Sequence, residues 1–345
     1  MTALRSRGTT LVEVLVGIVI GLIVTVGILD AVAGTELRRR NTVGLAEADA
    51  AGALAMFLLG SDLANAGNGI AAAAPALSGC PDTGDIRTTL RPIPVLIVAG
   101  SNPQAPDTIT IHYAAAPALA GAVALASAAG AGALLRVQAP LGFAAGDSVV
   151  IAAPDGRCAS TTLASVSAPY PDGTIDLTRT DSNDAFPATA KVFNRGPATA
   201  ATRIRYDLSG GTLRSQNLFV PDASPNPLVS GIVHFKAQYG IDSDGDGYLD
   251  AWVGADTTPW RANEVLAAPV SMLARIKAIR FGIVVRSDAW DPTLTSGQDW
   301  VMFECDATDK SDCPGRLAGT LPAHWRHQVL EAVVPLRNAI PGNMP

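Results

Sequence analysis

Carboxylates are the residues of this chain whose spacing could do chemistry. In Asp242-Ser243-Asp244-Gly245-Asp246-Gly247-Tyr248-Leu249-Asp250 they stand at positions 1, 3, 5 and 9 of an EF-hand-type loop. Glycine fills position 6, where the chain must turn sharply, and Tyr248 offers its carbonyl at position 7. Acids so close repel one another unless a hard cation lies between them. Position 12, a bidentate Glu in the full motif, is Val253, and Asp256 comes three residues too late. The spacing predicts a truncated calcium site in the ~0.1–1 mM affinity class. A solvated acidic turn joining two strands is the alternative.

A second carboxylate, Glu13, stands alone in an apolar run from Leu11 to Leu29. A lone acid in a membrane span costs roughly 3 kcal/mol and calls for a partner. Before it lies a short basic leader, Arg5-Ser6-Arg7-Gly8, followed by Thr9-Thr10. A cut after Gly8 would leave Glu13 one helical turn from a new α-amino group on Thr9. In a bundle of such helices, the carboxylate of one chain could neutralise the amine of its neighbour and set axial register. The alternative is an acid that only favours the positive end of the helix dipole.

No catalytic set is legible. His112, His234, His324 and His327 are scattered, with no nucleophile elbow beside them, and read as sheet or surface histidines. Asp107 and Asp147 adjoin strand starts and read as turn residues. Gly130-Ala131-Gly132 lacks the Lys-Ser/Thr ending of a phosphate loop. The chain is predicted not to be an enzyme.

The elements that position these residues follow from the apolar pattern. Leu11 to Leu29 as a helix spans about 28 Å, one bilayer core. Gly17, Gly21 and Gly27 interrupt it, as membrane helices tolerate. Arg5 and Arg7 favour a cytoplasmic N-terminus, while Arg38-Arg39-Arg40 on the far side argue against it. The arginine run reads as a solvated or headgroup-facing helix segment. Leu45, Ala48, Gly52, Met56, Leu59 and Leu63 continue one apolar stripe at spacings of three and four, with Glu47, Asp49 and Asp62 off it. The helix should stop near Ala66-Gly67-Asn68-Gly69. From Cys80 onward the signals are β. Strands are expected at 94–98, 108–113, 134–137, 146–151, 161–166, 174–177, 191–193, 232–239, 275–285 and 325–334, with a hairpin over 203–214. Residues 114–133 read equally as loop or short helix. Strand–helix alternation for a parallel sheet is missing. The predicted fold is α+β: a leader over 1–8, a helix over 9–67 with 11–29 transmembrane, and a β-rich antiparallel head over 68–345.

Composition agrees. The 345 residues are 48% hydrophobic but only 5% aromatic, which suits short strands and turns better than a bundle. A net charge of −6 disfavours nucleic acid as a partner. The four cysteines, Cys80, Cys158, Cys305 and Cys313, form no tight CxxC pair for zinc. They read as disulfides of an exported chain, and three pairings are open. Proximity along the chain favours Cys305–Cys313, leaving Cys80–Cys158.

Gly8-Thr9-Thr10-Leu11-Val12-Glu13-Val14-Leu15 resembles the N-terminal signal of type IV pilins and of type II secretion pseudopilins. The family's usual Phe after the glycine is Thr9 here. Asp62-Leu63-Ala64-Asn65-Ala66-Gly67, Gln238-Tyr239-Gly240-Ile241-Asp242, Val285-Arg286-Ser287 and Val333-Val334-Pro335-Leu336-Arg337-Asn338 resemble one branch, the PilW-type minor pilins. The resemblance implies a prepilin peptidase cutting after Gly8, methylation of the Thr9 amine, and a need for Glu13 in assembly. It further implies an inner-membrane subunit, in contact with lipid and with its head in the periplasm, that joins other minor and major pilins in a tip complex priming the pilus. The readings kept beside it are a minor pseudopilin of type II secretion and a calcium-dependent adhesive module displayed on a pilus.

Overall fold

The computed structural model describes residues 10–114, 122–139, 141–180, 184–199, 202–220, 222–305, 313 and 315–338. The leader, with Gly8 and Thr9, and the loop 306–312 fall outside them.

Helix α1 runs unbroken from Leu11 to Asn65, 55 residues. Its first part, Leu11–Glu36, is long and apolar enough to cross a membrane, and none of it is covered by the head. An apolar stretch of this length would keep its backbone bonded internally in lipid only as an unbroken helix. Its later part docks on the head through Ala48, Gly52, Ala55, Leu59 and Leu63. The apolar stripe read from the sequence is therefore shifted. Ala55 joins the seam, Met56 is half-buried and Leu45 faces out. A Cβ on Gly52 would lie 2.3 Å from Leu330 Cδ1 and 2.9 Å from Val285 Cγ2, so the rod touches the sheet only because that side chain is missing. Just past the helix end Gly67 has φ +78°; a Cβ there would meet the Asn338 carbonyl at 2.3 Å.

A 3-10 turn (Ala71–Ala73) and α2 (Ala74–Leu77) lead into β1 (Val95–Val98) and β2 (Thr108–Tyr113). Six strands follow: β3 (Val123–Ala124), β4 (Leu134–Val137), β5 (Asp147–Ala152), β6 (Cys158–Val166), β7 (Ile175–Arg179) and β8 (Lys191–Pro197). Then come β9 (Thr202–Ser209), β10 (Thr212–Asn217), β11 (Asn226–Ser230), β12 (Ile232–Ile241) and β13 (Ala251–Gly254). Short helices α3 (Ala262–Ala267) and α4 (Val270–Leu273) precede β14 (Ile276–Trp290), β15 (Gln298–Met302), β16 (Leu317–Leu321) and β17 (Trp325–Pro335). Every strand pair in the described residues is antiparallel. The fold is α+β, as the sequence predicts.

The order β13-β12-β14-β17 forms the sheet against which α1 lies, and β1-β2-β9-β10-β11 forms a second. Between β2 and β9 the chain makes a third body, ordered β3-β8-β5-β6-β7-β4. Its edges meet: Leu125 bridges Val137, with Ala126 N donating to Arg136 O and Gln138 N to Ala124 O. The six strands thus close into a small barrel with its own core, including Leu135, Ile151, Leu177 and Phe186. The stretch 114–133, read as loop or helix, contributes β3 and these bridges. Its residues 115–121 lie outside those described. Disulfide Cys80–Cys158 ties the segment after α1 to the barrel, and Cys305–Cys313 closes the short loop.

Two polar contacts matter for packing. Asp62, off the apolar stripe, is half-buried and accepts from Tyr206 Oη at 2.6 Å and Tyr113 Oη at 3.1 Å, joining α1 to β9 and β2. Burial, reinforced by Asp62, pushes the Tyr113 phenol up to about 12. Asp107 is more than a turn residue. It is buried and accepts from Lys236 Nζ at 2.7 Å and from the Gly100 and Ala237 amides. Beside it, His234 is buried against the Trp300 ring, with no hydrogen-bond partner for Nε2 among the described residues.

Asp62→Ala should lower stability by about 2–3 kcal/mol, since it strands two phenol donors made for a charged acceptor; urea midpoints of the detergent-solubilised chain check it. His234 generates a pH effect. Burial, then Lys236, push its imidazole down to about 4, against an ordinary value of about 6.5. Below pH ~6.5 the unfolded chain gains a proton that the native state refuses until about pH 4, so stability falls as pH drops through that window. His234→Gln should flatten the decline by about 2–3 kcal/mol, read as the slope of urea midpoint against pH.

Candidate functional site

The acidic loop joins β12 to β13, and the ladder sets its mouth: Ile241 pairs with Ala251, and Asp250 N donates to Ile241 O. Asp242 is buried at the loop's base. Its two carboxylate oxygens accept from Gly245 N at 2.6 Å and Gly247 N at 2.9 Å, which folds the loop around it. Burial disfavours the Asp242 charge, but these amides and Lys277 outweigh it and hold the carboxyl below its usual range. Asp250 closes the far side, accepting from Ser243 Oγ at 2.7 Å and Ser243 N at 2.6 Å, and these bonds likewise lower it.

Oxygens of Asp242, Asp244 and Asp250 lie within 4.8 Å of one another, close enough to share one ion. Asp246 is not in that group; its Oδ1 accepts from Tyr248 N at 2.8 Å, and the Tyr248 ring is exposed. Val253 lies inside β13, paired with Tyr239, and supplies no side-chain ligand. The donor set is three carboxylates, all hard oxygen, which fits calcium in kind and falls short of the six to eight ligands of a full site. Sequence reading missed the cations beside it. Lys277 Nζ on β14 stands 3.5 Å from Asp242 Oδ2, and Arg275 donates to the Asp242 carbonyl at 2.9 Å and to the Ser243 carbonyl. The alternation of Arg275 and Lys277 against Ile276 and Ala278 held that signal, since in extended chain it puts both cations on one side. Together these residues line a cleft of about 290 Å³ with Ser271 and Ala274.

Glu13 is placed far from this cleft, in the first turn of α1, with its amide on the Thr10 carbonyl at 3.0 Å and its side chain exposed. Among the described residues none of its own head reaches it; the seam with the head begins beyond Glu36. The histidines do not assemble either. His112 is buried against Arg203, and burial followed by Arg203 and Arg195 keeps it well below the usual imidazole range, hence neutral. His324 stacks on Trp290, and His327 lies half-buried on β17.

No curated protein and no solved structure matches the chain. Residues 212–338, from β10 through β17 with the acidic loop and the sheet under α1, match the family model of the type IV pilus-assembly protein W. The barrel and α1 lie outside the matched segment, and the match supports a PilW-type relationship and an involvement in type IV pilus assembly.

Proposed function

We propose that this chain is a minor pilin: an inner-membrane-anchored subunit, facing the periplasm, that enters a type IV pilus and takes part in priming its assembly. The observation that carries the reading is the pilus-assembly match over residues 212–338 on a head whose helix extends an uncovered apolar half, Leu11–Glu36. An uncovered helix of that kind needs lipid or other helices around it. In this reading a prepilin peptidase cuts after Gly8 and the Thr9 amine is methylated. Glu13 then pairs with the amine of a neighbouring subunit inside the fibre. Its exposed position in the first helical turn supports that role, since among the described residues no group of its own head competes for it. The work of the chain is assembly through contacts made with other minor and major pilins.

The same reading gives the acidic loop a calcium ion. Asp242, Asp244 and Asp250 would hold it, with Asp246 and the Tyr248 carbonyl as further oxygens. A bound divalent cation supplies charge neutralisation to a loop that otherwise relies on Lys277 and on its own amides.

Fibres sheared from cells carrying a tagged copy should contain the subunit with an N-terminal mass starting at Thr9. Glu13→Ala should remain in the membrane fraction and fall at least about tenfold in the fibres, given the cost of an unpaired partner charge in an apolar bundle. A mature chain starting at Met1, or normal incorporation of the variant, would overturn the reading. Calorimetric titration of the detergent-solubilised chain should give a calcium Kd of ~0.1–1 mM. Asp242→Asn and Asp250→Asn should each weaken it about tenfold or more, while absence of binding at 10-fold higher calcium (roughly 10 mM) would remove the metal from the account.

A further inference from the structure

The uncovered apolar span of α1 ends at Glu36, and the charged run Arg38-Arg39-Arg40 follows it. Charges at that point mark where a membrane helix leaves the hydrocarbon and enters the headgroup layer. The seam tells which part of the head lies nearest that level. A Cβ on Gly52 would meet Val285 Cγ2 at 2.9 Å, and one on Gly44 would meet Ala289 Cβ at 2.8 Å. Going along α1 toward the span, β14 therefore advances toward its last residue, Trp290. Its first residue, Ile276, lies at the far end of the head.

Gly44 comes eight residues after Glu36, which is about 12 Å of helix axis. Trp290 is one strand residue nearer the span than Ala289, a further ~3 Å. The turn beyond it comes nearer still, and it is a fixed one: Asp291 N donates to the His324 carbonyl at 2.9 Å, and His324 N to the Leu294 carbonyl at 2.8 Å. The headgroup layer rises about 5–8 Å above the hydrocarbon, and a helix tilt of about 20° brings one side of the head down onto it. A cleft of about 320 Å³ between Arg39, Arg40 and Ala289 opens at the same height.

The side chains at this end suit that layer. Trp290 is 54% exposed, whereas Trp260 and Trp300 are buried and Trp252 and Trp325 half-buried. The most exposed tryptophan of the head thus stands at the end nearest the span. It pairs with Trp325 across β14 and β17 and stacks on the His324 ring at 4.9 Å. The Arg286 guanidinium covers the Trp325 ring at 4.4 Å. Tryptophan collects at membrane surfaces because its ring is apolar and its N–H needs a wet partner. The arginines nearby are matched rather than bare: Arg40 pairs with Glu36 at 3.1 Å and Arg326 with Asp291 at 2.7 Å. The attraction is therefore one of aromatic rings for the interface, and not of net positive charge for anionic lipid.

We infer that the Trp290 end of the β14–β17 pair is a seat on the phospholipid headgroup layer of the membrane that α1 spans. The seat fixes the height and rotation of the head while the subunit waits in the membrane, and drawing the subunit into a fibre must break it. This rests on the membrane-anchored reading above and adds to it a second, separate lipid contact.

The full chain in phosphatidylcholine nanodiscs tests it. A nitroxide carried on the lipid headgroup should quench part of the tryptophan emission, and a nitroxide deep in the acyl chain should quench much less. Trp290→Phe should lose most of the headgroup quenching with the urea midpoint unchanged. A photo-crosslinking residue at position 290, irradiated in cells, should give a lipid adduct. Headgroup quenching that is absent, that persists in Trp290→Phe, or that appears only when phosphatidylglycerol is added would overturn the inference. An adduct with protein alone would overturn it too, and each of these outcomes leaves the anchored reading standing. A chain that does not enter the nanodiscs would sink both.

Discussion

One unbroken rod, covered by the head over only part of its length, is what the rest of the structure depends on. A backbone amide without a partner in an apolar medium costs several kcal/mol, so an uncovered apolar segment such as Leu11–Glu36 is best served by staying helical throughout. The helix then continues without a break to Asn65, and the head has to be built onto a shape it cannot alter. It does so by removing side chains. Gly52, Ala48 and Ala55 let the strands come near enough for Leu330 and Val285 to reach the rod's surface. Leu59 and Leu63 then fill the space further along, each contributing about 2 kcal/mol by burial. Asp62 fixes the rotation of the rod, because only one orientation gives its carboxylate both phenols.

The barrel is attached by a different logic. Its ends leave and return where Tyr113 pairs with Thr202, so an entire closed body enters the sheet at a point where two neighbouring strands already lie side by side. Insertions are tolerated at such places because the host loses no pairing. The joint is held by two buried arginines rather than by apolar packing alone. Arg203 on β9 donates to the carbonyls of Ile86, Arg87 and Thr89, and Arg195 on β8 donates to Ser148 and Ser160. Phe219 lies between them, 4.6 Å from one guanidinium and 4.8 Å from the other. Burial pushes Arg203 down to about 9 and Arg195 to about 10, so both remain charged at neutral pH, facing carbonyls, hydroxyls and a ring face.

What could be read from the sequence was whatever has a period or a fixed spacing. The helix from Leu11 to Asn65, the alternating strand at 108–113 and the hairpin over 203–214 each declared themselves. The short strands β3, β13, β15 and β16 did not. They have two to five residues each and lack the apolar run that marked the equally short β1, so it is long-range pairing that makes them strands. Barrel closure through Leu125 and Val137 was illegible for the same reason: it joins residues in an Ala/Gly-rich stretch with no β propensity of its own. The site divides likewise. The loop's carboxylates stand in one run of nine residues, whereas Lys277 comes from β14 and Arg275 from the turn just before it, and only the pairing of β12 with β14 brings them to Asp242. The roles of Asp62 and Asp107 were illegible because their partners, Tyr206 and Lys236, lie more than a hundred residues away.

Those two cations change what the acidic run can do. An isolated cluster of four carboxylates would be driven open by its own repulsion. Here Asp242 is anchored by two loop amides, Asp250 by Ser243, and Lys277 supplies a positive charge at the base. The loop therefore has a folded form that does not depend on a metal. A cation entering it would compete with Lys277 for Asp242 and with the Ser243 hydroxyl for Asp250, which works against tight binding. It would also find the ligands already gathered, which works for it. The two effects oppose each other at the end of β12, the strand that pairs with the sheet's central β14 under α1.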